Sequence, residues 1–459
     1  MRQKTRIESD SVGSMRVPAD VYYGVQTLRG HENFQISGVL MNWQFIKNII
    51  KIKKVAAKIN GEHGYIPKEI SQAIITACDE VLSDKFKEDF ITDAIQGGAG
   101  TSVNMNANEV LANRASELLG GKKGEYLCHP NDHVNCSQST NDVIPSAGKM
   151  TVLELVDDLL AALEDLIAAL KDKAQEFDGI LKMGRTQLED AVPIRLGQEF
   201  AAYASALKRD YKRIQGITEE MRVVNMGGSA IGTSVNVGKE YLHKIAAELS
   251  LEFGKKLLQA DDLIDATQNA DGFCAVSGTL KALAVNLSKM CNDLRLMSSG
   301  PKTGFGEITL PAKQNGSSIM PGKVNPVIPE VVSQVAFAVI GNDMTISIAV
   351  EGGQLELNAF EPVIFYKLFE SLICLTGAIK TLTMNCIVGI VANREHCETL
   401  VQSSVGIVTA LCPYLGYKKS AELAKEALAK NVGIRDLILQ HGLMDEEQVD
   451  KILDPYSMT

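Results

Sequence analysis

Thr151-Val-Leu-Glu-Leu-Val-Asp-Asp-Leu-Leu-Ala-Ala-Leu-Glu-Asp-Leu-Ile-Ala-Ala-Leu170 decides the class of fold. Val152, Val156, Leu159, Leu163, Leu166 and Leu170 step by 4, 3, 4, 3 and 4, which lines them up on one face of an α-helix. Glu154, Asp157, Asp158, Glu164 and Asp165 fill the opposite face. The stretch therefore predicts a long amphipathic helix, starting near residue 143, with a bundle seam. Similar patterns recur near 196–222, 264–298, 327–350 and 358–385. Five such helices predict a mainly α protein built on a central bundle, with little strand alternation in this half. Val331-Val-Ser-Gln-Val-Ala-Phe-Ala-Val-Ile340 is apolar or small on more than one face, the mark of a surface covered by another subunit.

On the N-terminal side, helical patterns cover about 42–60 and 67–82, and Val17–Thr27 reads as a turn followed by a short extended piece. On the C-terminal side the patterns shorten after about 395, with helices near 417–430 and 444–453. The expected organisation is 1–141 as a mixed, mostly helical domain, 142–395 as the five-helix bundle, and 396–459 as a small helical domain. The 459 residues are 45% hydrophobic, ample for a core, and only 5% aromatic, with Trp43 the single tryptophan. A formal net charge of -10 speaks against nonspecific nucleic-acid binding. Residues 1–10 hold no apolar run of the kind a secretory signal needs. No uninterrupted apolar run approaches about 18 residues, so no membrane span is expected. The nine Cys are scattered, odd in number and without paired spacing, which reads as reduced thiols in a cytoplasmic protein.

Five polar stretches interrupt the helical patterns. Gln96-Gly-Gly-Ala-Gly-Thr-Ser-Val-Asn-Met-Asn-Ala-Asn-Glu109 puts a flexible glycine bend before Thr101 and Ser102, where a helix would begin. Free N-terminal amides with hydroxyls beside them bind anions. Asn104, Asn106 and Asn108 are poor helix formers, so their presence argues for polar contacts. His129-Pro-Asn-Asp-His-Val-Asn-Cys-Ser-Gln-Ser-Thr-Asn-Asp142 has almost no apolar side chain. Pro130 between the two His and the lack of a second Cys pair argue against zinc. Gly184-Arg-Thr-Gln-Leu-Glu-Asp-Ala-Val-Pro193 and the glycine- and hydroxyl-rich 222–240 follow, the latter without the ending of a phosphate loop. The last is Gly316-Ser-Ser-Ile-Met-Pro-Gly-Lys-Val-Asn-Pro326, with glycines that free the backbone and prolines that stiffen it.

Gly316–Pro326 resembles the signature loop of the fumarase/aspartase superfamily of lyases at nine fixed positions, and the other stretches follow in that family's order. The resemblance implies Ser317 as the base that takes a proton from the carbon next to a carboxylate. It implies Thr101, Ser139, Thr140 and Ser318 around that carboxylate. Lys323, Asn325 and Thr186 would hold the other carboxylate, with Asn141 and Gln187 near the amino group. Tyr23, His133, Thr140 and Gln187 are similar to the aspartase branch, which deaminates L-aspartate to fumarate. The alternative is the class II fumarase branch, which acts on L-malate. Gln187 cannot relay a proton at neutral pH, so a His-activated base is excluded at that position. The resemblance further implies a three-domain fold and a homotetramer with a twenty-helix core, each active site drawing on three subunits. No cofactor is implied, although a divalent cation such as Mg activates some relatives.

Overall fold

The computed structural model describes residues 4–316 and 318–459. Strands β1 (Thr5–Ser9) and β2 (Ser14–Pro18) are followed by helices α1 (Val25–Asn33), α2 (Trp43–Glu62), α3 (Lys68–Leu82) and α4 (Thr101–Leu118). Then come α5 (Thr140–Glu176), β3 (Leu181–Thr186), β4 (Glu189–Arg195), α6 (Leu196–Ile217), β5 (Val223–Val224), α7 (Lys239–Phe253) and β6 (Leu258–Gln259). The chain continues with α8 (Asp265–Gln268), α9 (Asp271–Met297), β7 (Ile308–Thr309), α10 (Val327–Glu351) and α11 (Glu361–Asn385). It ends with β8 (Val391–Ala392), α12 (Arg394–Ser403), α13 (Cys412–Lys430), α14 (Ile434–Gln440) and α15 (Glu446–Ile452). The fold is mainly α, and the described strands pair only in twos.

All six seam residues from Val152 to Leu170 are buried. α5 runs 37 residues, about 55 Å at 1.5 Å per residue. Two compact units divide the chain. The first holds residues 1–160, 213–282 and 338–374; the second holds 161–212, 283–337 and 375–459. Each of the five long helices α5, α6, α9, α10 and α11 contributes residues to both.

In the first unit, the Asn42 side chain accepts from the amides of Gln44 and Phe45 and starts α2. Phe45, Ile49, Ile52, Ala56 and Ile59 bury one side of that helix, and Ile74, Ala77, Cys78 and Val81 of α3 are buried with them. Residues 25–27, expected as the end of a short extended piece, begin α1 instead. The Glu109 carboxylate explains this: it accepts from the amides of Gly24, Gln26 and Thr27 and from the Thr27 hydroxyl. An anion from α4 thus supplies the N-terminal cap that the local sequence lacks.

In the second unit, β3 and β4 form an antiparallel hairpin whose two-residue turn is Gln187-Leu188, at φ +56 and +68. Farther along, Leu411, Leu423, Leu437, Ile438 and Val449 close a small core among the C-terminal helices. α14 was not expected from the sequence.

By length and composition α10 and the run 361–389 are apolar enough to cross a membrane, with mean hydropathies of 1.4 and 1.5. The expectation of no membrane span rests on uninterrupted apolar runs, and these two segments reach such hydropathy with interrupted ones. Ser333, Asn342 and Thr345 break the apolar run in α10 while leaving few charges. Phe337, Met344 and Ile348 of α10 are exposed, each by more than 60%.

Candidate active site

In the first unit, the N-termini of α4 and α5 supply the polar groups. Gly100, at φ +85, turns the chain into α4, and a Cβ there would meet Ile144 of α5 at 3.0 Å. The two helix starts are therefore packed together, each with the positive end of its dipole at the start of the helix. Thr101 is exposed at the first position of α4, its hydroxyl donating to the Gly98 carbonyl. Ser139 precedes α5: its Oγ accepts from the Asn141 amide, and its own amide donates to Asp142 Oδ1. This reciprocal arrangement is a capping box with Asp in place of Glu. Asn141 Nδ2 donates to the Ala230 carbonyl at 2.7 Å. Thr101 at the start of α4 and Ser139, Thr140 and Asn141 at the start of α5 thus lie at neighbouring helix ends.

Asp142 is the hidden organiser of these helix ends. Its Oδ2 accepts from the amides of Gly227 and Ser229, so the 222–240 loop is wrapped onto the start of α5. Asn225 donates to the Asn141 carbonyl and to Thr267 Oγ1, and accepts from Ser146. Asp142 is fully buried, and desolvation pushes its carboxyl up to about 6 despite three backbone donors.

The buried Asn residues of α4 divide the work. Asn106 and Asn113 satisfy the backbones of the loops at 22, 89, 91 and 124. Asn104 and Asn108 both donate to Asn135 Oδ1, and Asn104 Nδ2 also reaches Thr140 Oγ1 at 3.1 Å. Lys53 of α2, wholly buried, donates to the same Asn135 oxygen at 2.8 Å. Sequence reading passed over Lys53. Its one signal is position: in Ile49-Ile-Lys-Ile-Lys53 it falls four residues after Ile49 and three before Ala56, on the apolar face. His129 caps a π-helical turn that contains His133, and the His133 ring accepts from the His129 amide. Desolvation lowers the His133 pKa.

In the second unit, Thr186 and Gln187 are exposed at the tip of the β3–β4 hairpin. Behind the tip, Glu307, fully buried, bonds Arg185 at 2.6 Å and lies 3.1 Å from the Lys182 ammonium, which also bonds Glu199 at 2.9 Å. Arg185 stacks on Phe305 at 4.2 Å. On the other side, the Ser404 hydroxyl donates to Asp190, and a Cβ on Gly406 would collide with the Ala191 carbonyl. The C-terminal segment thus presses against β4.

Gly316–Asn325 closes on itself. The Gly316 amide donates to the Lys323 carbonyl at 2.9 Å, and Asn325 Nδ2 donates to the Gly316 carbonyl at 2.8 Å. Gly322 takes φ +82, so the turn before Lys323 uses the freedom of glycine. Ser318 and Lys323 are exposed at the loop surface. Ser317, the expected base, lies outside the described residues. Asn325 in this state ties the loop base.

The chain matches the Lyase family model over residues 13–341 and the Fumarase C C-terminus model over 407–459. It is 50% identical to the aspartate ammonia-lyase of Bacillus subtilis (strain 168), with 100% of this chain and 97% of the relative covered. This chain belongs to the fumarase/aspartase superfamily of lyases. It is also 52% identical to an aspartate ammonia-lyase of Helicobacter pylori (strain J99 / ATCC 700824), over 99% of this chain and 97% of that one. Among solved structures it is similar to a fumarate lyase:delta crystallin from Brucella melitensis bound to cobalt, at 47% identity and a TM-score of 0.96, covering 99% of both chains. The superfamily membership covers all five polar stretches.

Proposed function

We propose that this chain is an aspartate ammonia-lyase, which reversibly eliminates ammonia from L-aspartate to give fumarate. The observation that carries the reading is the paired helix start, where Thr101, Ser139 and Thr140 offer hydroxyls beside two positive dipole ends. Such a face stabilises a carboxylate that gains charge, and preorganised donors of this kind are worth several kcal/mol in a transition state.

Removal of the aspartate C3 proton leaves a carbanion, and its charge spreads into the adjacent carboxylate as an enediolate. Thr101, Ser139, Thr140 and Ser318 receive that group. Lys323, Asn325 and Thr186 hold the second carboxylate, for which Asn325 Nδ2 must leave the Gly316 carbonyl as the loop closes. The Asn141 Nδ2 is occupied, so its Oδ1 is the atom offered to the amino group, with Gln187 beside it. Ser317 takes the proton as its alkoxide and becomes the hydroxyl, and closure of the loop excludes water from it. The enediolate then collapses, the C–N bond breaks, and ammonia leaves with the bonding pair to give fumarate. The reaction needs no cofactor in this reading, with a divalent cation such as Mg at most an activator.

The working form is a homotetramer in which each site draws these groups from three subunits, packed through the exposed apolar faces of the long helices. This reading makes the Phe337–Ile348 stripe a subunit contact in a cytoplasmic enzyme and leaves no role for a membrane or a nucleic acid.

Fumarate absorbance, followed in parallel on L-aspartate and L-malate, tests the reading. A rise on aspartate alone is expected. A rise on malate alone would make the chain a class II fumarase. Full turnover by Ser317→Ala would remove the serine from the role of base.

A further inference from the structure

Lys53 is a buried cation that the reaction as described does not use. It lies in the first unit, under the face that carries Ser139 and Thr140, and its ammonium has one hydrogen-bond partner given by the structure, Asn135 Oδ1 at 2.8 Å. The charged and titratable groups that influence it are Asp142 of α5 and Cys78 of α3. Desolvation, and after it Asp142 and Cys136, raise the pKa of the buried Tyr241 of α7. A helix core has no packing need for an ammonium, and burying one is costly.

The geometry of the chain beyond Lys53 gives it a task. A lysine ammonium can only donate. It therefore fixes which end of the Asn135 amide faces it, and that end is the oxygen. Asn135 Oδ1 in turn fixes Asn104, whose Nδ2 lies 3.3 Å from it and 3.1 Å from Thr140 Oγ1. Thr140 Oγ1 is thereby an acceptor toward the interior, and its own hydrogen is left for a partner outside. Asn108 adds a second donor to Asn135 Oδ1 at 3.2 Å and reinforces the same direction. The carbonyl oxygens of Asn104 and Asn108 are buried without a partner among the described residues. The cluster thus tolerates unmade hydrogen bonds, which are expensive, while holding the donors toward Asn135 and Thr140.

We propose that Lys53 is a positioning residue that sets the direction of the hydrogen-bond chain Lys53–Asn135–Asn104–Thr140, so that the Thr140 hydroxyl donates to the substrate carboxylate. The proposal rests on the reading of Thr140 as a carboxylate ligand. It also gives an acidic protein a positive charge behind its anion site without exposing one. Burial lowers the Lys53 ammonium to about 7. Binding of an anionic substrate favours the protonated form that the chain direction requires.

The test is a set of KM and kcat values on L-aspartate, or on malate if that is the acid the wild type consumes. Thr140→Val comes first. If it leaves kcat/KM unchanged, the reading of Thr140 falls and takes this proposal with it. Lys53→Met keeps the length of the side chain and removes its donors. kcat/KM is expected to fall about tenfold, the value of one charge-assisted hydrogen bond, with kcat carrying part of the loss because the carboxylate gains charge in the transition state. Asn104→Leu, which cuts the chain in its middle, is expected to give the same loss and carries the test if Lys53→Met does not fold. Adding Lys53→Met or Asn104→Leu to Thr140→Val is expected to lower kcat/KM by no more than a further twofold. The wild-type kcat/KM is expected to fall with pH above neutrality along a limb that Lys53→Met lacks. A Thr140-dependent kcat/KM that Lys53→Met and Asn104→Leu do not alter would overturn the proposal alone. So would double variants whose effects multiply in full.

Discussion

Glu307→Leu should cost the second unit about 5 kcal/mol, the upper end of what removing one partner of a buried ion pair costs. The geometry sets the figure. The Glu307 side chain is wholly inaccessible and faces two cations, Arg185 at 2.6 Å and Lys182 at 3.1 Å, whose side chains are 14% and 4% exposed. Its amide donates to the Met297 carbonyl, and its carbonyl accepts from the Asn393 amide, so the backbone is pinned at both ends and cannot swing the site open to water. Glu307→Gln keeps the shape and one acceptor, and Lys182 keeps Glu199 at 2.9 Å. The loss there falls to about 3 kcal/mol, the lower end of the same range. Because Arg185 adjoins Thr186, KM for the substrate should rise in both variants. Urea unfolding at one fixed subunit concentration, read with KM, is the assay. A Glu307→Leu protein within about 1 kcal/mol of wild type would refute the argument, since a buried pair cannot be that cheap to break.

Gly322→Val should lower kcat/KM about tenfold and leave the melting temperature alone. The left-handed conformation costs a β-carbon about 1–2 kcal/mol, and no atom lies within 4 Å of a Cβ built there; equal kcat/KM would show that the loop turns over in another conformation. Lys53 binds fewer protons folded than unfolded between its folded value of about 7 and the ordinary 10.5. Wild-type stability should therefore rise with pH across that window, and the urea midpoints of wild type and Lys53→Met should converge from pH 7 towards 10. Asp142, held up to about 6 from 3.8, acts lower and with the opposite sign, stability falling as pH rises towards 6; parallel midpoint curves above pH 7 would exclude the Lys53 contribution. Met344→Glu, in the exposed stripe of α10, should split the assembly into smaller species by sedimentation and abolish turnover with it. An intact, active assembly would move the subunit contact elsewhere.

Much of the helical scaffold is legible in the sequence, because periodic apolar residues carry it: Val152 to Leu170 are read from spacing alone and all are buried. β1, β2, α7 and α12 are missed, and three further elements escape for physical reasons. α1 is mostly polar, with Val25 and Leu28 its only aliphatic residues, and its cap comes from Glu109, about 80 residues away. The β3–β4 turn uses Gln187-Leu188 at positive φ, without the Asn-Gly or Asp-Gly that announces such a turn. α14, at seven residues, is too short to establish a period. The candidate site divides in the same way. Thr101, Ser139, Thr140 and Asn141 were legible as residue types in order, whereas Asp142, Asn135 and Lys53 act through contacts across three elements. A lysine in a Lys-rich helix reads as surface until a neighbouring helix is seen to cover it.

Glu109 also orders events in time. Residues 24–27 are synthesised first, and the carboxylate that gathers their amides is made about 80 residues later. At 5–20 residues per second, the usual pace of synthesis, that is a delay of about 4 to 16 seconds. The start of α1 therefore settles only after that interval. Until then its first amides lack the carboxylate that caps them.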